Sequence, residues 1–362
     1  MRRIAVRTAS HNYEALVERG ALDKAAAHLR PFLRRKRLFV VTTAPVWAQQ
    51  GARLEQGLAG EPFIRLTMPD GEEHKRLATV EKLASQMLQS GADRGSLVAA
   101  FGGGVVNDVA GFLAAIYMRG VSVIQIPTTL LAQVDAAIGG KTGVNLEGGK
   151  NLIGAFHQPE LVLIDPDALA TLPDREYRAG LYEVIKCAII ASRSLFQLLA
   201  GRREEVLRRS PAVVEELIEE SVRIKAGVVS TDEKEGDLRR ILNFGHTLGH
   251  ALEAETGYRR LLHGEAVAFG MRAAAWLAAR TGLLANGDYS SIEQLLDSYG
   301  PIPAVAGVGA ESLLARLGAD KKTIGGKVHF VLPEGIGSAR VVSDLDLALV
   351  REAAERALAA VA

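Results

Sequence analysis

Short β-rich runs alternate with helical patterns through the first half of the chain, and this alternation restricts the fold more than any other feature. The predicted strands are RIAVRT, RLFVVTT, PFIRLTMP, SLVAAFGGG, VSVIQIP and LVLIDP. The helical patterns between them include ALDKAAAHLRPFL, RLATVEKLASQMLQS and VNDVAGFLAAIYM. Strands that alternate with helices form a parallel sheet wound on both faces. Ligands of such sheets bind beyond the carboxyl ends of the strands.

From about Leu172 the pattern changes to long helices rich in Ala, Leu, Glu and Arg. Apolar residues recur at i, i+3 and i+4, which is typical of amphipathic helices packed on one another. The predicted helices include REYRAGLYEVIKCAIIA, AVVEELIEESVRIKAGVVS, FGHTLGHALEAETG, GEAVAFGMRAAAWLAARTG and DLALVREAAERALAAVA, with a short β-pair at KVHFVLPEGIGSARVV. Pro and Asp cluster in LIDPDALATLPDRE, which predicts a boundary. We therefore expect an α/β domain over residues 1–171 and a helical domain over residues 172–362.

Charge and cysteine content exclude several classes of protein. The net charge is +1, so no bulk attraction to nucleic acid or to an anionic membrane is expected, and an anionic substrate has to be bound by local Lys and Arg. The apolar runs are too short to span a membrane, and the N-terminus lacks a signal-peptide core. The only cysteine, Cys187, excludes an intramolecular disulfide and fits a reducing compartment. A cytoplasmic protein is predicted.

The segment SLVAAFGGGVVNDVAGF runs from a strand through three glycines into a helix. Gly102 to Gly104 let the backbone turn tightly and approach a ligand, and the N–H groups that open the helix suit a pyrophosphate. The pattern is not G-x-G-x-x-G, so a plain strand-to-helix turn explains it equally well. Asp108, one turn into the helix, either bonds a ribose or nicotinamide group or caps the helix.

Three of the eight histidines fall within eighteen residues. His246 and His250 lie four apart in FGHTLGH, on one helical face, and His263 follows in LLHGEAV. Imidazole suits zinc, and catalytic zinc sites use three protein ligands with one open position. A carboxylate would complete the set, and Glu183 in LYEVIK is one candidate among many. Spacing alone does not separate the ligands from a base.

Several basic residues stand beside Gly, Asn or the start of a helix: Arg119, Lys141, Lys150, Lys186, Arg239, Lys321 and Lys322. Taken singly, each is explained by a solvated surface charge. GGKTGVN and GGKNLIG are exceptions, because a Lys directly after two glycines often marks a phosphate or carboxylate cradle.

At these motifs the chain resembles the 3-dehydroquinate synthase family, from about Asp70 to about Val342. The matching motifs are PDGEEHK, GGGVVND, YMRG, IPTTLLAQVDAAIGGKTGVN, GKNLIGAFHQP, LYEVIK, IKAGVVSTDEKE, LRRILNFGHTLGHALEAETGY, LHGEAVAFGM and DKK. The resemblance implies an α/β N-terminal domain with a Rossmann-like parallel sheet that binds NAD. It further implies an all-α C-terminal domain that binds a divalent metal, zinc or cobalt, and a homodimer.

The activity implied by the resemblance is conversion of 3-deoxy-D-arabino-heptulosonate 7-phosphate to 3-dehydroquinate and phosphate, a step of the shikimate pathway. The implied route is transient oxidation by NAD, elimination of phosphate, re-reduction and intramolecular aldol closure. The alternatives are a sister sugar phosphate cyclase, an amino-dehydroquinate synthase, a metal-dependent alcohol dehydrogenase and a non-catalytic binding protein derived from the enzyme.

The resemblance also implies residue roles, carried over by position. Metal ligands would be Glu183, His246 and His263, with His250 as an acid/base residue on the substrate side. The substrate would be lined by Asp135, Lys141, Asn151, Lys186, Lys225, Arg239, Asn243 and Lys321, with Arg119 reaching in across a dimer. NAD would be bound by Glu72, Lys75, Gly103, Gly104, Val105, Asp108, Thr128, Thr129 and Lys150.

The chain departs from the family pattern at three positions near the nucleotide. Asn107 stands where the family usually has Gly, inside the predicted nucleotide loop. Thr43 and Pro45 stand where the family tends to have Asp and Asn after the second predicted strand. We expect these changes to alter the adenosine contacts and the cofactor affinity rather than the chemistry.

Overall fold

The computed structural model of the protein describes residues 1–33, 36–320 and 328–361. The chain forms two compact units. The first unit comprises Met1–Pro173 and Val214–Lys234, and the second comprises Asp174–Val213 and the chain from Glu235 onward. This division falls within two residues of the boundary predicted at 171/172. It differs from the prediction in grouping residues 214–234 with the first unit.

The first unit is built on a seven-stranded sheet and an additional hairpin. Its strands are β1 Arg2–Arg7, β2 Asn12–Val17, β3 Leu38–Thr43, β4 Phe63–Met68, β5 Leu97–Gly102, β6 Ser122–Pro127, β7 Lys141–Leu146, β8 Gly149–Phe156 and β9 Leu161–Ile164. Its helices are α1 Ala25–Leu33, α2 Ala44–Gly57, α3 Leu77–Gln89 and α4 Gly104–Ile116. The sheet order is β1-β2-β9-β6-β5-β3-β4, and β7 pairs with β8 in the separate hairpin.

The sheet is parallel except at one edge. β1 pairs antiparallel with β2, and the other neighbouring strands pair in parallel. After β3 the chain moves outward to β4 and then returns to β5 on the other side of β3. This reversal is a topological switch point, where open α/β sheets bind their ligands. The predicted parallel sheet is confirmed. β2, α2 and the β7–β8 hairpin were missed.

Both faces of the sheet are covered by apolar side chains. Side chains of a strand alternate between the two faces. Thus Phe39 and Val41 of β3 belong to one buried cluster, and Leu38 and Val40 belong to the other. This double burial explains why the strand sequences read as continuous apolar runs.

The second unit is helical except for one hairpin. Its helices are α5 Asp174–Ala191, α6 Arg193–Gly201, α7 Arg203–Leu207, α9 His246–Glu255, α10 His263–Arg280, α11 Asn286–Tyr299, α12 Ala310–Asp320 and α13 Leu347–Ala359, and its strands are β10 His329–Gly335 and β11 Ser338–Ser343. Helix α8, Pro211–Thr231, begins in this unit and continues into the first. The hairpin confirms the predicted β-pair, so the description of this domain as all-α is corrected to mostly helical. In the described ranges, no helix has both the length and the apolar character needed to cross a membrane.

Candidate functional site

The predicted nucleotide loop lies between β5 and α4, beside the switch point. Gly103 has a φ of −77°, so it is not required for a left-handed turn. Glycine at these positions allows close approach: a Cβ at Gly103 would lie 3.1 Å from Thr129 Cγ2, and a Cβ at Gly104 would lie 3.3 Å from the Cβ of Ala136, in the short helix Ala132–Ala136 after β6. The Thr128 amide donates to the carbonyl at the end of β5 (2.9 Å). With partly exposed Val105, these residues leave the first amides of α4 open to an anion.

Lys75 joins three of the predicted site residues. Its side chain is buried, with 4% of the residue exposed. Its ammonium group contacts the carboxylate of Asp108 and the side-chain oxygen of Asn151. Burial raises the pKa of Asp108 above its ordinary value, and the positive charge of Lys75 opposes that rise. Lys75 therefore holds the partly buried carboxylate of Asp108 and the side-chain amide of Asn151 on one cation.

Asn145 links this group to the other predicted nucleotide residues and was missed. Its Nδ2 donates to Glu72 Oε1 (2.8 Å), and its Oδ1 accepts from the backbone amide of Asn151 (2.8 Å). Lys150 Nζ lies 3.8 Å from the same Glu72 oxygen. Asn151 itself has a φ of 56°, the left-handed conformation that Asn tolerates better than most residues. Asn145 is the last residue of the GGKTGVN motif, and this motif could have identified it from the sequence.

The other predicted substrate residues of the first unit lie in different settings. Lys225 Nζ donates to the side chain and to the backbone carbonyl of Asp135, both at 2.6 Å. Lys141 opens β7 with an exposed side chain. Arg119 is exposed beyond the end of α4, and its φ is 70°.

The three departures from the family pattern have different structural consequences. Asn107 lies inside helix α4 rather than in the loop, and its amide donates to the Gly103 carbonyl (3.0 Å). Its side chain is buried and donates to the carbonyl of Ala100 (3.4 Å), so the position does not demand a glycine. Thr43 precedes α2 with extended backbone angles, and Pro45 lies in the first turn of that helix. A proline in the first turn removes no helical hydrogen bond.

In the second unit the predicted metal ligands come from three helices. Glu183 of α5 is 1% exposed, and its Oε1 lies 3.9 Å from His246 Nε2 and 3.7 Å from His263 Nε2. His246 and His250 open α9, and His263 opens α10. Nitrogen atoms of the three imidazoles lie within 4.8 Å of one another. The spacing therefore fits a three-ligand site either with Glu183 or with the three histidines.

The hydrogen bonds of two imidazoles define their protonation. His246 Nδ1 lies 3.1 Å from the Phe244 carbonyl, and His263 Nδ1 lies 3.4 Å from a Glu253 carboxylate oxygen. Both partners can only accept, so each Nδ1 carries a proton, and in the neutral form of each ring Nε2 presents a lone pair. Burial lowers the pKa of His246 well below its ordinary value, which keeps that ring neutral.

The convergence of these atoms fits a divalent cation. Two imidazole nitrogens face the same oxygen of Glu183, and in the neutral rings their lone pairs would repel that oxygen unless a cation lay between them. Bonds of about 2.0–2.2 Å in a tetrahedral site separate ligand atoms by about 3.4 Å, only a few tenths of an ångström less than the distances seen. The buried ammonium of Lys186 contacts the other Glu183 oxygen, so Oε1 is the oxygen that faces the two imidazoles.

Close helix packing brings these ligands together. A Cβ at Gly264 would lie 1.9 Å from the carbonyl oxygen of Ala179 on α5, and a Cβ at Gly270 would lie 1.8 Å from the carbonyl of Gly245. Glycine at both positions therefore allows α10 to approach α5 and the start of α9. Glu265 accepts from the amide of Leu262 (2.8 Å) and from Arg175 (2.7 and 2.8 Å), which caps the end of α10 that carries His263.

Two further predicted substrate residues lie just before α9. Arg239 is 1% exposed, the largest of the fully buried side chains among the described residues. Asn243 Nδ2 donates to Glu235 Oε1 (2.6 Å), and Glu235 has a φ of 62°. Glu235 was missed, although the STDEKE motif contains it. Lys321 lies outside the described residues.

Comparison with known proteins agrees across both units. Family models for the 3-dehydroquinate synthase N-terminal and C-terminal regions match residues 65–179 and 180–323. The 3-dehydroquinate synthase of Solibacter usitatus (strain Ellin6076) is 60% identical over 354 residues, which cover 98% of this chain and 99% of the relative.

Two solved structures share the fold at lower identity. The first is 2-epi-5-epi-valiolone synthase from Streptomyces hygroscopicus subsp. jinggangensis 5008 with NAD+ and Zn2+ bound (TM-score 0.85, 32% identity, 96% of each chain covered). The second is 2-deoxy-scyllo-inosose synthase complexed with carbaglucose-6-phosphate, NAD+ and Co2+ (TM-score 0.88, 26% identity, 98% and 99% covered).

Proposed function

The chain belongs to the 3-dehydroquinate synthase family, and on this basis we propose that it converts 3-deoxy-D-arabino-heptulosonate 7-phosphate to 3-dehydroquinate and phosphate, as a carbon–oxygen lyase. The observation that carries the proposal is 60% identity to a synthase over almost the whole of both chains. Identity to the two sister cyclases is 32% and 26%. This difference favours the synthase over the sister cyclases.

We assign NAD to the first unit. The open amides of α4 suit its pyrophosphate, and Asp108, held by Lys75, offers oxygens to ribose or nicotinamide groups. When bound, NAD supplies a reversible hydride acceptor. The residues assigned to it are Glu72, Lys75, Gly103, Gly104, Val105, Asp108, Thr128, Thr129 and Lys150.

We assign a zinc or cobalt ion to Glu183, His246 and His263. The unprotonated nitrogens of both imidazoles and one carboxylate oxygen supply the donor set that these metals accept. When bound, the metal supplies a Lewis acid that favours the ionised form of a coordinated alcohol. Lys186 neutralises the second Glu183 oxygen and helps to hold the carboxylate in place.

The substrate anion requires local cations, because the net charge of the chain is only +1. Arg239 suits the substrate carboxylate, since its planar guanidinium can bind both oxygens. His250, whose side chain is 55% exposed, is assigned to proton transfer. The residues assigned to substrate binding are Asp135, Lys141, Asn151, Lys186, Lys225, Arg239, Asn243 and Lys321, with Arg119.

The direct test supplies purified protein with the seven-carbon phosphate, NAD and zinc, and follows phosphate release together with absorbance at the nicotinamide band. We expect phosphate and dehydroquinate in equal amounts without net NADH. No phosphate release from protein with NAD and metal bound would reject the synthase and favour a sister-cyclase substrate. Net NADH would favour an alcohol dehydrogenase.

The split between metal ligand and acid/base residue has its own test. We expect His246→Ala to lose the metal, because it removes one of the two imidazoles that face Glu183. We expect His250→Ala to keep the metal and lose most turnover. Metal analysis of both purified variants measures this, and equal metal loss in the two would contradict the split.

A cytoplasmic homodimer completes the proposal. The outward face of β8 exposes Leu152 (60%) and Phe156 (44%), while Ile153 of the same strand packs against the buried core. An exposed apolar face of this kind is typical of a protein interface. Arg119 at the end of α4 would then extend toward the second copy. The lone cysteine, Cys187, is buried and fits a reducing compartment.

A further inference from the structure

Helix α9 carries a third polar residue on the side of its two histidines. Glu253 follows His246 by seven residues and His250 by three, so the three side chains share one helical face. Only 2% of Glu253 is exposed. A buried carboxylate is costly unless it is hydrogen-bonded or paired, so its partners at this position matter to the folded protein.

One of these partners is His263, which opens the next helix. Glu253 Oε1 lies 3.4 Å from His263 Nδ1. A carboxylate accepts and cannot donate when ionised, so this contact places the imidazole proton on Nδ1. The opposite nitrogen, Nε2, lies 3.7 Å from the Glu183 oxygen. The ring of His263 is thus held between two buried carboxylates, with Nε2 toward the other predicted metal ligands.

Other contacts hold the backbone of His263, so the effect of Glu253 is on the rotation of the imidazole ring. Gly264 sets the distance between α10 and α5, and Glu265 caps the start of α10. Neither contact acts on the imidazole ring. A charged partner that bonds the outer nitrogen of a ligand imidazole fixes both its orientation and its tautomer.

The second oxygen of Glu253 faces His250. His250 Nε2 lies 4.0 Å from Glu253 Oε2. A single carboxylate therefore stands between the imidazole assigned to the metal and the imidazole assigned to proton transfer. Removing its charge changes the electrostatic environment of both rings.

We propose that Glu253 is a positioning residue that orients His263 for the metal by fixing the proton on Nδ1. This rests on the proposed function, because it takes His263 as a metal ligand. In this role Glu253 acts through His263 and does not itself contact substrate, NAD or metal.

The first test compares Glu253→Gln with Glu255→Gln on the same helix. Glutamine keeps the shape of the side chain and removes the charge. Glu255 is only partly buried and pairs with Arg316 (3.0 Å), so its variant controls for a lost carboxylate. In chelator competition we expect Glu253→Gln to bind zinc about 10–100-fold more weakly, with a changed visible spectrum of the cobalt form, and Glu255→Gln to match wild type. Wild-type zinc affinity and an unchanged cobalt spectrum in Glu253→Gln would overturn the proposal.

A second measurement needs no Glu253 variant. In full-length protein labelled with ¹⁵N-histidine, the two ring nitrogens of His263 report its tautomer, and their signals are assigned by comparison with His263→Gln. We expect a proton on Nδ1 both without metal and with zinc bound. A proton on Nε2 in the metal-free protein would overturn the proposal, whatever the catalytic assay shows. Failure to form dehydroquinate would instead count against the proposed function and leave the tautomer result intact.

Discussion

Replacing Gly264 by alanine should displace the first turn of α10 and weaken metal binding. Gly264 is the second residue of this helix, directly after His263. An added Cβ would lie 1.9 Å from the Ala179 oxygen and 2.6 Å from its carbonyl carbon. Both are backbone atoms of α5, so no flexible side chain can move aside. The helix itself has to shift.

The size of the shift follows from the overlap. Real Cβ atoms essentially never approach a neighbour closer than 3.0 Å, so Gly264→Ala requires a movement of about 1.1 Å from its starting 1.9 Å. Overpacking of this kind costs about 1–3 kcal/mol, against a helix-propensity gain of up to about 1 kcal/mol. The same movement at His263 far exceeds the tolerance of about 0.2 Å for a metal–ligand bond.

The assay measures thermal unfolding of the metal-free protein and zinc affinity by chelator competition. Gly287→Ala is the matched control, because Gly287 is also the second residue of its helix, α11, and nothing lies within 4 Å of its added Cβ. We expect Gly264→Ala to have an unfolding temperature a few degrees lower than wild type. We also expect its zinc affinity to fall by at least about tenfold, the loss seen when a metal ligand is no longer held in its orientation. Gly287→Ala should match or slightly exceed wild-type stability.

The two variants also define the refutation. If Gly264→Ala matched Gly287→Ala in unfolding temperature and in zinc affinity, the close approach of α10 to α5 would not set the position of His263. A loss of stability with full zinc affinity would separate the packing of the helix from the placement of the ligand, and would refute the second part of the reasoning.

Three further predictions concern other contacts. Lys75→Met should lower stability by about 1–3 kcal/mol, since it leaves the partly buried carboxylate of Asp108 without this cation. The same variant should bind NAD more weakly in calorimetry, and unchanged NAD affinity would contradict the assignment of Lys75 to NAD. Arg175→Ala should cost about 1–3 kcal/mol in urea unfolding, because it leaves the buried carboxylate of Glu265 without this cation, although more than half of the Arg175 side chain is exposed; a cost below about 0.5 kcal/mol would contradict this reasoning. If the proposed dimer forms through β8, Leu152→Glu should be a monomer in light scattering, and a variant that stays dimeric would reject the proposed interface.

The sequence predicted those strands and helices whose own residues carry a clear apolar pattern. The buried runs of β3 and β5 are continuous and apolar because parallel strands are covered on both faces. Helix α2 escaped detection because its sequence, APVWAQQGARLEQG, has a weak apolar stripe. Strands β7 and β8 escaped because their glycine-rich motifs favoured a phosphate cradle over a hairpin.

Asn107 illustrates how position in the fold changes the meaning of a substitution. From sequence, it lay in the nucleotide loop and required tolerance of unusual backbone angles. In the structure the loop ends at Gly103, and Asn107 is a buried helical residue. The predicted helical pattern VNDVAGFLAAIYM already contained Asn107, so the structure confirms that helix and corrects only the assignment of Asn107 to the loop.

The sequence by itself determined the alternation of strands and helices in the first half of the chain and placed His246 and His250 on one helical face. Helical periodicity acts over a few residues, so it needs no tertiary information. Tertiary structure decided that Glu183 and His263 lie beside His246. It also decided that Glu253 contacts Nδ1 of His263. Such encounters join residues far apart in the chain, so they depend on how closely the helices pack. A hydrogen atom at Gly264 in place of a methyl group sets that distance.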